Sequence, residues 1–270
     1  MKKSLKKILV FLCLCCLAMS TCATNPFTGK NTMAIVDNSE LFPTAFQQYN
    51  EFLDQSTVIT GTADSEMVIR VGNRLRIAAE KWLADQGQSH YLDNYQWEYK
   101  LVLSDEINAW CMPGGKIVVY TGILPLTMNE DGLAVVLGHE VSHALLNHGQ
   151  QRMSADVLQQ LGATGLSLIV SNKTPETQAL AMTAYGAGSA IFGTLPFSRS
   201  HESEADHYGL ILMAIAGYDP DAAVPFWQRM SALGGGGTPE FLSTHPSDAT
   251  RISQLQDWIS EAREKAAKFN

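Results

Sequence analysis

The residues with the clearest chemical potential are His139-Glu140-Val141-Ser142-His143, an H-E-x-x-H pattern. On a helix, positions i and i+4 share a face, so the two imidazoles can hold one Zn2+ between them. Glu140 sits beside that face, within reach of an attacking water. Leu133, Val135, Val136 and Leu137 precede the pattern, and Ala144, Leu145 and Leu146 follow it. The helix is therefore expected to be buried, and buried imidazoles need a partner because an unpaired buried polar group is costly. A catalytic zinc takes three protein ligands and leaves one position open. Further along stands His201-Glu202-Ser203-Glu204-Ala205-Asp206. Glu202 is the candidate third ligand. Asp206, one turn later on the same face, can hold a ligand histidine by its free ring nitrogen, fixing tautomer and orientation. Glu204 reads as a solvated acid, and His201 and His207 as flanking residues rather than ligands. Cys111 has no evident base beside it and reads as a small buried residue.

Apolar spacing and turn residues set out the elements that must position these groups. A helix is expected over Pro43–Leu53. A second runs from a cap at Asp64 or Ser65 to Asp85, with Val68, Val71, Leu75 and Ala78 at helical spacing. Gln86–Asn94 reads as a polar loop. Tyr95–Leu103 alternates and reads as a strand, Asn108–Met112 as a short extended piece, Pro113-Gly114-Gly115 as a turn, and Lys116–Tyr120 as a β-rich strand. The H-E-x-x-H helix is expected over Asn129–Asn147, closed by Gly149. Val157–Phe197 is rich in small residues, and Gly186, Gly188, Gly193 and Pro196 interrupt it. Small-residue helices covering the site are expected there rather than a membrane span. Helices are also expected over Arg199–Ala216, Pro220–Leu233 and Pro246–Phe269, with a mobile four-glycine loop at Gly234–Gly237.

The chain has 270 residues, 46% hydrophobic and 17% charged, which suits a folded domain and excludes disordered and collagen-like classes. Lys2, Lys3, Lys6 and Lys7 supply four of the 19 basic residues, so the rest carries 15 against 27 acidic ones. So acidic a body is a poor binder of nucleic acid. Basic residues 1–7 followed by apolar Ile8–Met19 form the n- and h-regions of a secretory signal. Cys13, Cys15, Cys16 and Cys22 lie in or just after it and only Cys111 lies beyond, so no disulfide framework is expected. Ala18-Met19-Ser20-Thr21-Cys22 resembles a bacterial lipobox with Cys22 lipidated, and Ala23-Thr24-Asn25-Pro26 reads as a polar tether. Ordinary cleavage near Ala23 is the alternative.

Four segments together carry a family resemblance. They are Asn108-Ala109-Trp110-Cys111-Met112-Pro113-Gly114-Gly115-Lys116 with the following strand, the His139–His143 helix, Glu202–Asp206, and Thr244-His245-Pro246 with Arg251 behind it. From about residue 95 to 255 the chain resembles the gluzincin metallopeptidase family, which includes the CAAX prenyl protease, HtpX, the mitochondrial inner-membrane overlapping protease and bacterial envelope proteases such as BepA. The resemblance implies that His139, His143 and Glu202 bind zinc. Glu140 would be the general base that later protonates the leaving amine. It assigns Arg251 to carbonyl or oxyanion stabilisation. It also implies that His245 can occupy the fourth zinc position and hold the enzyme silent, with the four glycines letting that loop move.

The expectation is an α+β fold, a mainly helical zincin domain with a small sheet lining the cleft. Residues 1–21 would be the signal, 22–60 a tether and N-terminal arm, and 61–270 the metallopeptidase domain. Lys116, Ile117, Val118, Val119 and Tyr120, with Asn108, are expected at a sheet edge that takes an extended substrate as a further strand. One Zn2+ per chain is expected. Unfolded or misassembled envelope proteins are the expected substrates, with a periplasmic, lipid-anchored location, outer membrane favoured. The spans of the prenyl protease and HtpX, and the helical-repeat domain of BepA, are not expected here. The alternative is a chaperone-like client-binding protein whose latent peptidase activity is gated by His245. A structural zinc protein is a third, weaker reading.

Overall fold

The β-branched run at Lys116–Tyr120 governs where the sheet sits. In the computed structural model, which describes residues 22–189, 195–233, 240–245 and 250–269, Ile117, Val118 and Val119 are fully buried. Residues 1–21, expected to be a signal, Gly193, the loop Gly234–Gly237 and the expected start of the last helix at Pro246 lie outside the described residues. In chain order, β1 (Cys22–Thr24) and β2 (Asn31–Met33) form an antiparallel hairpin. After α1 (Asn38–Asp54) come β3 (Val58–Ile59), α2 (Ala63–Asp85), β4 (Glu98–Val102), β5 (Ala109–Met112) and β6 (Lys116–Tyr120). Then follow α3 (Leu124–Thr127), α4 (Glu130–Leu145), α5 (His148–Val170), α6 (Pro175–Ser189), α7 (Leu195–Ile215), α8 (Ala223–Ala232), α9 (Glu240–Thr244) and α10 (Arg251–Ala266). The fold is the expected mainly helical α+β arrangement.

The four-stranded sheet has the order β3-β4-β6-β5, with β4 and β6 parallel and the other pairs antiparallel. This corrects the expected substrate strand. Lys116, Ile117, Val118, Val119 and Tyr120 form an interior strand whose main chain is already paired on both sides. A continuous β-branched run is the mark of a strand covered on both faces, not of an edge. The edge beside the site is β5, headed by the buried Asn108.

Helix α4 is buried from Gly132 to Leu145, as an apolar surround on all faces requires. Asn129 caps it by accepting from the Gly132 N–H, and Glu130 and Asp131 complement the dipole in its first turn. Helix α7 crosses α4 at two glycines. A Cβ on Gly138 would lie 2.9 Å from the Gly209 carbonyl oxygen, and one on Gly209 would lie 3.0 Å from the Gly138 carbonyl carbon. Only glycine permits so close a crossing, which brings the 139–143 face against Glu202 and Asp206. The end of α4 differs from expectation. Asn147 makes the left-handed turn at φ 55°, and α5 begins at once with His148. Gly149 lies inside α5, where an added Cβ would sit 2.9 Å from Pro113 Cγ.

Other boundaries also move. Helix α1 starts earlier than expected because Asp37 caps it, its side chain accepting from the Ser39 N–H, and Pro43 is inside the helix. Thr62, not Asp64 or Ser65, caps α2, in a reciprocal capping box with Ser65. The presumed tether is folded: Asn25 is buried and donates to the Leu145 carbonyl at 3.0 Å, while Phe27 stacks on Trp82 at 6.0 Å. The described part of the small-residue segment is largely helical but buries no residue over the site. In α5 burial ends at Ser154, α6 buries nothing, and Leu161, Leu168, Ile169 and Leu180 are exposed. Among the described helices, none is long and apolar enough to cross a membrane.

Candidate metal centre

Helix α4 presents His139 and His143 one turn apart, α7 presents Glu202 and Asp206, and His245 follows α9 on the far side. All five side chains are buried. His139 Nε2 lies 3.0 Å from His143 Nε2, 3.1 Å from His245 Nδ1 and 3.2 Å from Glu202 Oε2. Glu202 Oε1 is 3.4 Å from His143 Nε2, and Glu202 Oε2 is 2.9 Å from His245 Nδ1. A tetrahedron of nitrogen and oxygen ligands around zinc has edges of about 3.3 Å, given bonds of about 2.0–2.1 Å. The separations of 2.9–3.4 Å lie near those edges and the four ligand atoms all fall within 4.8 Å of one another, so the residues present fit a zinc-sized cation. The donor set points the same way, since three imidazoles and one carboxylate, all buried, are groups that zinc takes.

The outer contacts set ring orientation. His139 Nδ1 lies 2.9 Å from Asp206 Oδ1, the partner expected from the one-turn spacing. Burial opposes charge on His139, but hydrogen bonding to Asp206 and Glu202 outweighs it and pushes the pKa up to about 9. Burial likewise opposes ionisation of Glu202, yet its histidine partners hold the carboxyl far below the ordinary range. Burial pushes the Glu140 carboxyl up, as suits a proton acceptor in a dry site. Glu140 Oε1 is buried without a hydrogen bond, and His245 Nε2 lies 3.3 Å from it. A cavity of about 280 Å³ opens on this side, lined by Asn108, Trp110, Cys111, Glu140, His143, Arg152 and His245. Cys111 is partly buried, and burial pushes its thiol pKa up, away from nucleophilic use.

Arg251 is neither on the surface nor on that cavity. Its Nε and Nη2 each lie 2.6 Å from the Asp206 carboxylate, its guanidinium stacks 3.3 Å over Trp227, and Nη1 donates to the His245 carbonyl at 3.3 Å. The geometry places it behind the cluster, holding Asp206 and the His245 backbone, rather than facing a carbonyl. Two groups escaped the sequence reading. Glu204 is no free surface acid: it pairs with Lys30 at 2.6 Å and lies 3.4 Å from His148. His148 itself, first residue of a helix not expected to begin there, sits 2.8 Å from His143. His201 stacks on His148 and His207 lies 2.9 Å from Glu261, so neither joins the cluster.

Comparison with known proteins agrees with this geometry. The family model of Peptidase family M48 matches residues 74–259. The mitochondrial metalloendopeptidase OMA1 of Schizosaccharomyces pombe is 38% identical over 64% of this chain and 50% of its own length. The Arabidopsis thaliana protein of the same name is 38% identical over 61% of this chain and 32% of its own. The beta-barrel assembly-enhancing protease of Escherichia coli is 31% identical over 60% of this chain and 34% of its own. The chain thus spans half or less of the length of these relatives. With the match covering both ligand helices and strands β4, β5 and β6, the chain belongs to peptidase family M48.

Proposed function

We propose that this chain is a zinc-dependent endopeptidase of the bacterial cell envelope that degrades misfolded or misassembled envelope proteins. The observation that carries the reading is the buried cluster of His139, His143, Glu202 and His245, whose ligand atoms lie within 4.8 Å of one another, with the buried Glu140 oxygen beside it. His139, His143 and Glu202 would hold one zinc per chain, with His245 a fourth ligand in the resting arrangement. Zinc, when bound, supplies Lewis-acid polarisation of the attacking water and of the scissile carbonyl. Glu140 accepts the proton of that water and returns it to the leaving amine. Asp206 keeps the His139 proton on Nδ1, and Arg251 keeps Asp206 ionised and in place. An extended substrate would add to β5, with Asn108 at the head of the strand and the 280 Å³ cavity beneath it.

The location rests on separate observations. Basic and apolar residues precede an exposed Cys22, which supports removal of residues 1–21 and lipid attachment at Cys22. The Escherichia coli relative is named for β-barrel assembly, which favours the outer membrane, although the OMA1 relatives are named as mitochondrial. Residues 61–270 would form the catalytic domain, with 22–60 packed onto it. Membrane fractionation of Cys22→Ala tests the anchor, whose loss would release the protein.

A second reading has its own support. His245 Nδ1 lies 2.9 Å from Glu202 Oε2, in the position a fourth ligand would take. With His245 there, the protein would hold clients on β5 and cleave seldom. Casein hydrolysis with zinc content, measured on wild type, Glu140→Gln and His245→Ala, decides between the two. The protease reading expects slow wild-type cleavage, faster cleavage by His245→Ala, and Glu140→Gln reduced by about 100-fold or more with zinc retained. Zinc in all three with no cleavage in any leaves the binding reading.

A further inference from the structure

His143 has two ring nitrogens, and the cluster uses only one. Nε2 points inward, 3.0 Å from His139 Nε2 and 3.4 Å from Glu202 Oε1. Nδ1 points outward and lies 2.8 Å from Nδ1 of His148. Two imidazole nitrogens at that distance need one donor and one acceptor. A nitrogen that binds a cation must keep its lone pair, so the proton of His143 is on Nδ1 and is donated to His148. His148 Nδ1 then accepts, and the neutral ring carries its own proton on Nε2. That nitrogen faces Glu204 Oε2 at 3.4 Å. The link is long for a hydrogen bond, so Glu204 acts by charge as well as by accepting. Its other oxygen accepts from Lys30 Nζ at 2.6 Å, in the turn of the β1–β2 hairpin.

We propose that His148 is a positioning residue for the ligand His143, and that Glu204, anchored by Lys30, holds His148 in the tautomer this requires. The inference rests on the reading of His143 as a zinc ligand. Each link fixes the proton of the one before it, from a metal ligand out to the N-terminal hairpin. His148 is fully buried and stacks on His201 with ring centroids 4.0 Å apart and planes 10° from parallel, which locks the ring that must accept. The two ligand histidines of α4 are thus served differently. Asp206 accepts from His139 directly, whereas His143 reaches its carboxylate through a second imidazole. The outer ring explains why a buried, unliganded histidine stands five residues after His143.

The test uses the full chain and reads zinc affinity by chelator competition and the absorption bands of the cobalt-substituted protein. His148→Phe keeps a ring but removes the acceptor. Its zinc affinity is expected to fall by about 10–100-fold, with shifted cobalt bands. His148→Asn puts an amide oxygen near the lost Nδ1 and should recover most of that affinity. Affinity within about twofold of wild type and unchanged cobalt bands for His148→Phe would overturn the proposal. Should that variant not fold, imidazole 15N NMR of the zinc-loaded wild type reads the tautomers directly. A proton on Nε2 of His148 and on Nδ1 of His143 supports the relay, and a proton on Nδ1 of His148 refutes it. His139→Ala separates the two failures. If it loses zinc while His148→Phe does not, the relay alone falls; if neither loses zinc, the centre falls with it.

Discussion

Asp206 shows how a single residue serves two partners. It accepts from His139 and receives the Arg251 guanidinium. Asp206→Asn should therefore weaken zinc by about 10–100-fold, because the His139 ring loses its anchor. It should also cost stability on the order of 3–5 kcal/mol, because Arg251 is left as an uncompensated buried charge. Adding Arg251→Met should restore much of the stability and none of the zinc affinity. Denaturation and chelator competition on the three proteins would reveal the split; parallel recovery of both properties would contradict it. The ligands were legible in the sequence because i,i+4 spacing on a helix is a geometric statement that needs no tertiary knowledge. His148 was not legible: five residues after His143 it leaves the ligand face, and only the left-handed Asn147 turns it back. Arg251 was visible as a residue, but its partner is distant in sequence, so its role had to come from packing.

At the level of elements, the Gly138–Gly209 crossing sets the distance between the ligand helices. Gly138→Ala places a methyl 2.9 Å from a backbone oxygen that cannot rotate away. The expected cost is about 1–3 kcal/mol, with weakened zinc binding as α4 and α7 part. A variant as stable and as metal-tight as wild type would contradict this account of the crossing. Glu98 on β4 supplies a pH test. Burial pushes its carboxyl up, but hydrogen bonds from Lys116 and Lys100 outweigh that and leave the pKa below the usual 4.5. A depressed folded-state pKa means stability that is fully present above 4.5 and lost as pH falls through the lowered value. Glu98→Gln should therefore unfold more easily than wild type at neutral pH, and the difference should close under acid. The strand at Lys116–Tyr120 was legible as a strand, but its neighbours were not. Period and composition mark a covered strand, while pairing order depends on the parallel β4–β6 crossover, which no local pattern records.

Across the whole molecule, the ligands come from three parts of the chain, α4, α7 and the segment after α9. Zinc that binds only when these are assembled must stabilise the folded state. At about 100 times its dissociation constant it should add about 2.7 kcal/mol, or roughly 5–10 °C in Tm. Calorimetry with zinc and with chelator checks this, and an unchanged Tm would count against a site assembled from three parts of the chain. Stability is also uneven. Beyond Ser154, α5 and α6 bury no residue, whereas α4 is covered along its length. Amides of 155–189 should exchange by local opening, far sooner than those of 133–145, as mass-resolved hydrogen exchange would record.

That uneven helical pair has a consequence for how the chain tolerates change. It lies between the two ligand-bearing helices in sequence yet adds nothing buried beyond Ser154. Closing a loop costs only about 0.6 kcal/mol more for each doubling of its length. A foreign domain grafted near Lys173, at the tip where α5 gives way to α6, would therefore leave the ligand helices in register. The tip is where this chain could carry a reporter, an affinity handle or a targeting module without losing its metal centre.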